Sequence, residues 1–143
     1  MMQNYIPEPV FQWTRDNAVG IEDIDREHQR LFSLAERMHQ AMLAGRGREF
    51  LPSLLAGLIS YTADHLSREE RLMERIGYPG LAEHRRQHAE LRANVRALQA
   101  RSASGETTMT IEATQLLMEW LKRHATASDR RIGEYLTTRD QRR

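Results

Sequence analysis

The 143-residue chain contains no cysteine. Disulfides, thiolate metal sites, covalent haem attachment and thiol nucleophiles are thereby excluded. Lysine is almost absent: Lys122 stands alone among arginines, a bias with no functional reading. Neither sign of charge dominates. The formal net charge is +1, so nothing draws the whole chain toward nucleic acid or anionic lipid. Long apolar runs are missing, and none approaches the ~20 residues of a membrane span. The opening stretch "MMQNYIPEPVFQW" has neither the basic region nor the apolar core of a signal peptide. A cytoplasmic protein without a membrane span is the expectation. No segment reads as a β-strand.

What is present is an ordinary globular composition, 40% apolar and 29% charged, and a length that suits one domain. Four segments carry helical periodicity. The first runs from about residue 21 to 44, with Ile24, His28, Leu31, Ala35, Met38 and Met42 in line, and "GRG" ends it. The second covers 49–76, with Leu51, Leu55, Leu58, Thr62, His65, Glu69, Leu72 and Ile76 on one side, and "GYPG" stops it. The third covers 81–101 and aligns His84, His88, Leu91, Val95 and Leu98. After the polar linker "SASGETT", the fourth begins near Thr108 and carries Ile111, Leu117, Trp120, Leu121 and His124. Four helices with short connections and one apolar stripe each predict an all-α, antiparallel up-down-up-down four-helix bundle. Residues 1–20, with Pro7, Pro9, Phe11 and Trp13, form an N-terminal arm packed over it, residues 21–137 the bundle, and 138–143 a basic tail.

The histidines lie in unusual places. Residues four apart on a helix are separated by only about 40°, so His65 shares a face with Glu69, and His84 with His88. Those faces are the apolar ones. His28 and His124 also continue their stripes, leaving His39 beside its own. A single histidine on an apolar face is more often bonded to a backbone carbonyl than to a metal. Five of them with a glutamate, in one small core, would each cost a few kcal/mol if uncompensated. Metal coordination satisfies them together. Imidazole and carboxylate suit iron, zinc, copper or manganese. Five histidines exceed the needs of one tetrahedral zinc, so two adjacent metals with bridging carboxylates fit better. None of the inward histidines follows a glutamate by three residues, the Glu-x-x-His motif of ferritin-like di-iron bundles.

At "VGIEDIDREHQRLF", "HLSREERLM", "GYPGLAEHRRQH" and "EWLKRHATASD" the chain resembles the hemerythrins, in particular their single-domain bacterial members, over nearly its whole length. The family pattern, a histidine, then H-x-x-x-E, H-x-x-x-H and H-x-x-x-x-D, is filled by His28, His65, Glu69, His84, His88, His124 and Asp129. Asp129 comes from the resemblance alone. Five residues turn a regular helix by about 500°, which would point Asp129 away from His124. The resemblance therefore implies a break in the helix at the weak helix formers "ATAS".

The resemblance further implies two iron ions joined by an oxo or hydroxo bridge. His84, His88 and His124 would hold one, His28 and His65 the other with a position left open, and Glu69 and Asp129 would bridge. Reversible O2 binding is the implied activity, with NO or small anions as further ligands of the open iron. Five neutral and two anionic ligands let the site take up O2 without changing its buried net charge. Trp120, Leu121, Leu66 and Ala125 would line an apolar O2 pocket, with Ile132 nearby, and the small Ala125 and non-aromatic Leu66 and Ile132 imply extra room. A carrier, store or delivery role is expected, not an enzyme. A sensor acting through a partner, or a di-iron peroxidase or NO reductase, are the alternatives. No nucleic acid is implied, and the bacterial relatives suggest a monomer.

Overall fold

The computed structural model describes residues 11–103 and 109–141; Pro7 and Pro9, part of the polar linker and the chain's last two residues lie outside them. Four long helical stretches pack in a ring. Helix α1 spans Glu22–Leu43, α2 Gly47–Ile76, α3 Leu81–Ala103 and α4 Met109–Glu119. From α4 the chain continues without a break through a π-helical segment, Trp120–Ser128, into α5, Asp129–Gln141. Helix α1 packs on α2, α2 on α3, α3 on α4 and α4 back on α1, with no strand among the described residues. The chain is an all-α four-helix bundle. Its last helix runs through Gln141, past the boundary expected at 137.

The connections are short because their residues stop helices efficiently. Gly77 takes the left-handed conformation (φ 66°) that a side chain would resist. Behind it Tyr78 N donates to Met73 O at 2.9 Å and Gly77 N to Glu74 O at 3.3 Å, closing the helix end with its own carbonyls. The start of α1 is fixed from within: Asp25 accepts hydrogen bonds from the backbone N–H of Val19 (2.7 Å) and Gly20 (3.3 Å).

The core holds Leu31, Ala35 and Met38 of α1, Leu54, Leu58 and Leu66 of α2, Leu91 and Val95 of α3, and Leu117 and Leu121 of the fourth stretch. Four inward assignments fall short. Ile111 is 56% exposed and Ala113 faces inward in its place, while Leu117 is buried as expected; the error is confined to the uncertain start of a short helix. Met42, Leu72 and Ile76 are only half-buried, while Met73 is fully buried. Of the arm, Phe11 is buried and Trp13 half-buried, both against the core. Its end is held by backbone: Gly133 packs so closely on the Val19 carbonyl that a Cβ there would overlap it, and Arg130 donates to the carbonyls of Asp16 and Ala18.

Candidate metal centre

Each helix delivers its polar residues to one depth of the core. Helix α1 supplies His28, α2 His65 and Glu69, α3 His84 and His88, and the fourth stretch His124 and Asp129. None is more than 3% exposed. The π-helical segment brings in the last of them. The backbone N–H of Asp129 donates to the carbonyl of His124, five residues back. At about 80° per residue in that wider turn, five residues come round to roughly 400°, so Asp129 faces inward beside His124. The helix break implied by "ATAS" is present as this widened turn.

The donor atoms form two overlapping groups, Glu69–His84–His88–His124–Asp129 and His28–His65–Glu69–Asp129, each gathered within 4.8 Å. Both carboxylates belong to both groups. Glu69 Oε1 lies 2.6 Å from His84 Nε2 and 3.2 Å from His88 Nε2, and its Oε2 lies 3.0 Å from His65 Nε2. Asp129 places Oδ2 2.8 Å from His28 Nε2, and Oδ1 2.8 Å from His84 Nε2 and 3.0 Å from His124 Nε2. The Nε2 atoms of His88 and His124 are 3.0 Å apart. All five rings thus aim Nε2 at a common centre.

Behind the rings stand residues that sequence reasoning missed. Glu27 bonds His65 Nδ1, Glu70 Oε2 lies 3.3 Å from His88 Nδ1, and Gln87 Oε1 lies 2.6 Å from His124 Nδ1. These three share a rule: each is the chain neighbour of a cluster residue on its own helix and supports a histidine on the next helix. The available signal was a polar residue beside His28, Glu69 or His88, about 100° round the helix and so aimed at the neighbouring one. An acceptor on Nδ1 fixes the tautomer that leaves Nε2 free for a metal. Tyr61 stacks on His65 (centroids 4.6 Å) and Trp120 on His124 (3.8 Å), and Trp120 Nε1 donates to Tyr61 Oη at 3.2 Å.

The charges show what is missing from such a cluster. Burial alone would raise the Glu69 carboxyl, yet hydrogen bonds within the cluster hold it well below the usual range. Burial and Glu69 push the Asp129 carboxyl up, but His124 brings it down. Burial pushes the imidazoles down, and the carboxylates outweigh it: Glu27 and Glu69 lift His65 to about 9, and Asp129 and Glu69 lift His84 to about 9. His124 moves the same way. Protons stand in for cations here. Even so, His65 Nε2, Glu69 Oε2 and Asp129 Oδ1 lack a well-aligned hydrogen bond among the described residues although all are buried. Inward lone pairs crowded around a common point are what cations of two or more charges would satisfy, so the residues fit a metal pair.

Of the expected pocket residues, Leu66, Leu121 and Ala125 are buried in the core and Trp120 covers His124. Ile132 is fully buried as well. The chain's one Glu-x-x-His pair, Glu36 and His39, lies apart from the cluster. Phe11 N donates to Glu36 Oε2 at 2.7 Å, and the Phe11 ring meets His39 edge-on.

A bundle whose four helices converge on a buried histidine-carboxylate cluster defines a class of cation-binding helical protein, and comparison with known proteins places the chain within it. The family model described as the hemerythrin HHE cation binding domain matches residues 19–136. The chain is 30% identical to a bacteriohemerythrin of Stenotrophomonas maltophilia over 85% of its own length and 78% of that protein's. It is 28% identical to a bacteriohemerythrin of Ralstonia nicotianae over 92% of each, and 30% identical to a myohemerythrin of Riftia pachyptila over 66% of the chain and 72% of that protein. The chain belongs to the hemerythrin family.

Proposed function

We propose that this chain holds two iron ions and binds dioxygen reversibly, as an oxygen carrier, store or delivery protein rather than an enzyme. The observation that carries the reading is the convergence of five inward Nε2 atoms on two carboxylates that each serve both halves of the cluster. His84, His88 and His124 would hold one ion and His28 and His65 the other, with Glu69 and Asp129 between them. Iron in the two-histidine half would supply electrons and a free coordination position to a diatomic ligand. The chain's own residues set the conditions for that exchange. Glu27 and Gln87 hold His65 and His124 in one tautomer and orientation, and the Glu70 carboxylate lies 3.3 Å from His88 Nδ1. Leu66, Leu121 and Ala125 keep water away from the cluster, which discourages protonation and loss of a bound anion. Trp120 and Tyr61 brace the two halves against one another through their hydrogen bond.

A cytoplasmic monomer accords with this reading. No helix is long and apolar enough to cross a membrane among the described residues. The test is stopped-flow mixing of the reduced, iron-loaded protein with O2. A new visible absorption that vanishes when O2 is removed, over repeated cycles, is the expected result. Irreversible oxidation without that absorption rejects the reading.

A second reading, sensing through a partner, draws on one observation. The arm rests on the widened turn and the helix after it: Asn17 Nδ2 donates to Thr126 Oγ1 at 3.4 Å, and Val19 abuts Gly133. A change at Asp129 would be felt there. Identical partner capture by oxidised and reduced protein would remove this reading.

A further inference from the structure

The His65 side of the cluster is bordered by two clefts between α1 and α2. One, of about 440 Å³, is walled by Leu31, Leu34 and Tyr61 and reaches His65. The other, of about 650 Å³, is walled by Ile24 and Leu72 and reaches both His65 and Glu69. The Glu27–Arg68 ion pair (2.9 Å) divides them and belongs to both. Glu27 is largely buried, while the Arg68 side chain is 57% exposed, so Arg68 is the part free to move.

The charge around the two clefts differs. Arg30 and Arg37 border the first, Arg71 and Arg75 the second, and all four are exposed. None of the four forms an ion pair among the described residues. The carboxylates nearby are mostly engaged: Asp23 with Arg26, Glu74 with Arg85, and Glu27 with His65 and Arg68. Around the second cleft the carboxylates Asp23, Glu27, Glu69 and Glu74 offset Arg68, Arg71 and Arg75. In the first, Arg30, Arg37 and Arg68 outnumber Glu27 and Asp64, so the excess there is positive, and apolar walls concentrate such a field on small ions of opposite sign. Gly57 keeps the first cleft open: a Cβ there would lie 2.7 Å from the tip of Leu34.

We propose that the first α1/α2 cleft is the entry route by which small inorganic anions reach the His65 side of the centre, collected by Arg30 and Arg37 and admitted when Arg68 swings away from Glu27. The route rests on the two-iron reading for its destination, while the collecting rim exists without metal. Uncharged O2 gains nothing from the rim, so the two kinds of ligand should respond differently to its removal.

Azide is the probe. Its association with the oxidised, iron-loaded protein is followed by absorbance over a range of ionic strength. In the wild type the rate should fall as salt rises. In Arg30→Gln/Arg37→Gln it should be about three- to tenfold slower at low salt and converge with wild type at high salt, the range open to modest steering, and Arg71→Gln/Arg75→Gln should be slowed less. Arg96→Gln on α3 should match wild type, and O2 association with the reduced variants should be unchanged. Gly57→Met, which fills the first cleft with a better helix former, should slow azide at every salt concentration. Azide rates within twofold of wild type in Arg30→Gln/Arg37→Gln overturn the proposal. So does slowed ferrous uptake with unchanged azide rates, which would make the clefts a metal-loading path. The metal-free protein gives an independent readout: azide should shift the Nε–H resonances of Arg30 and Arg37 saturably, and their indifference defeats the rim whatever the metal. Wild-type protein that shows those shifts but never forms an azide complex supports the rim and refutes the two-iron reading instead.

Discussion

The two halves of the cluster aim their nitrogens alike but stand in different surroundings. In the three-histidine half, His84, His88 and His124 pack on one another with centroids 4.3 to 4.8 Å apart, and Trp120 lies flat on His124. The nearby surface cleft of about 280 Å³ reaches Gln87 and Trp120 but no cluster residue. In the two-histidine half, His28 and His65 are 5.3 Å apart, Tyr61 lies on His65, and the α1/α2 clefts come up to His65 and Glu69. The half with fewer protein donors is the one solutes can approach. A metal that keeps a position open for an outside ligand needs both conditions, and a structural metal needs neither.

The sharpest way to break this comparison is to remove what the halves share. Glu69 donates to both groups, so Glu69→Ala should leave less than one metal ion per chain after loading and dialysis. His28→Ala touches only the two-histidine half and should retain one. Metal analysis distinguishes these outcomes, and two ions retained by Glu69→Ala would mean that the carboxylate does not bridge.

A second, smaller effect asks whether the halves differ before metal arrives. His65 stands in one half and His84 in the other, and carboxylate neighbours lift both to about 9. A raised folded-state pKa stabilises the fold fully below the unfolded value near 6.5 and ceases to do so as pH climbs through the folded value. The metal-free protein should therefore lose stability between pH 6.5 and 9, on the order of 3 kcal/mol for each of the two histidines. Denaturant midpoints against pH measure it. A flat profile would show that those protons are absent. The same protons must leave before metal enters, so apparent metal affinity should rise with pH over this window.

Much of this arrangement was legible in the chain, for reasons that differ by residue. Periodicity placed His28, His65, Glu69, His84, His88 and His124 on inward stripes because long helices with firm glycine stops leave little freedom of phase. Asp129 was invisible to periodicity, since α-helical spacing turns it outward; the family pattern supplied it, and the π-helical turn is its physical basis. Ile111 was misplaced where the helix start was soft. Glu27, Glu70 and Gln87 were missed because stripe-reading discards residues beside a ligand, and only the packing of the next helix gives them a task.

Those three residues carry the smallest predicted effect. Removing the acceptor behind a ligating histidine frees its ring to rotate and weakens it as a donor, typically costing 10- to 100-fold in metal affinity. In the three-histidine half, Gln87→Ala loosens one donor of three, and the crowded rings with Trp120 still hold His124 in place. In the two-histidine half, Glu27→Ala loosens one donor of two, and His65 has one stacked ring, Tyr61, beside it, with the His28 ring edge-on at 5.3 Å. It also releases Arg68, adding an unpaired positive charge that a cation must approach. Glu27→Ala should thus fall near the upper end of that range and Gln87→Ala near or below the lower end. Competition with a metal chelator measures both. Equal losses would mean that the two halves share their strain through the bridging carboxylates, and that the asymmetry lies in access to the centre and not in its grip on metal.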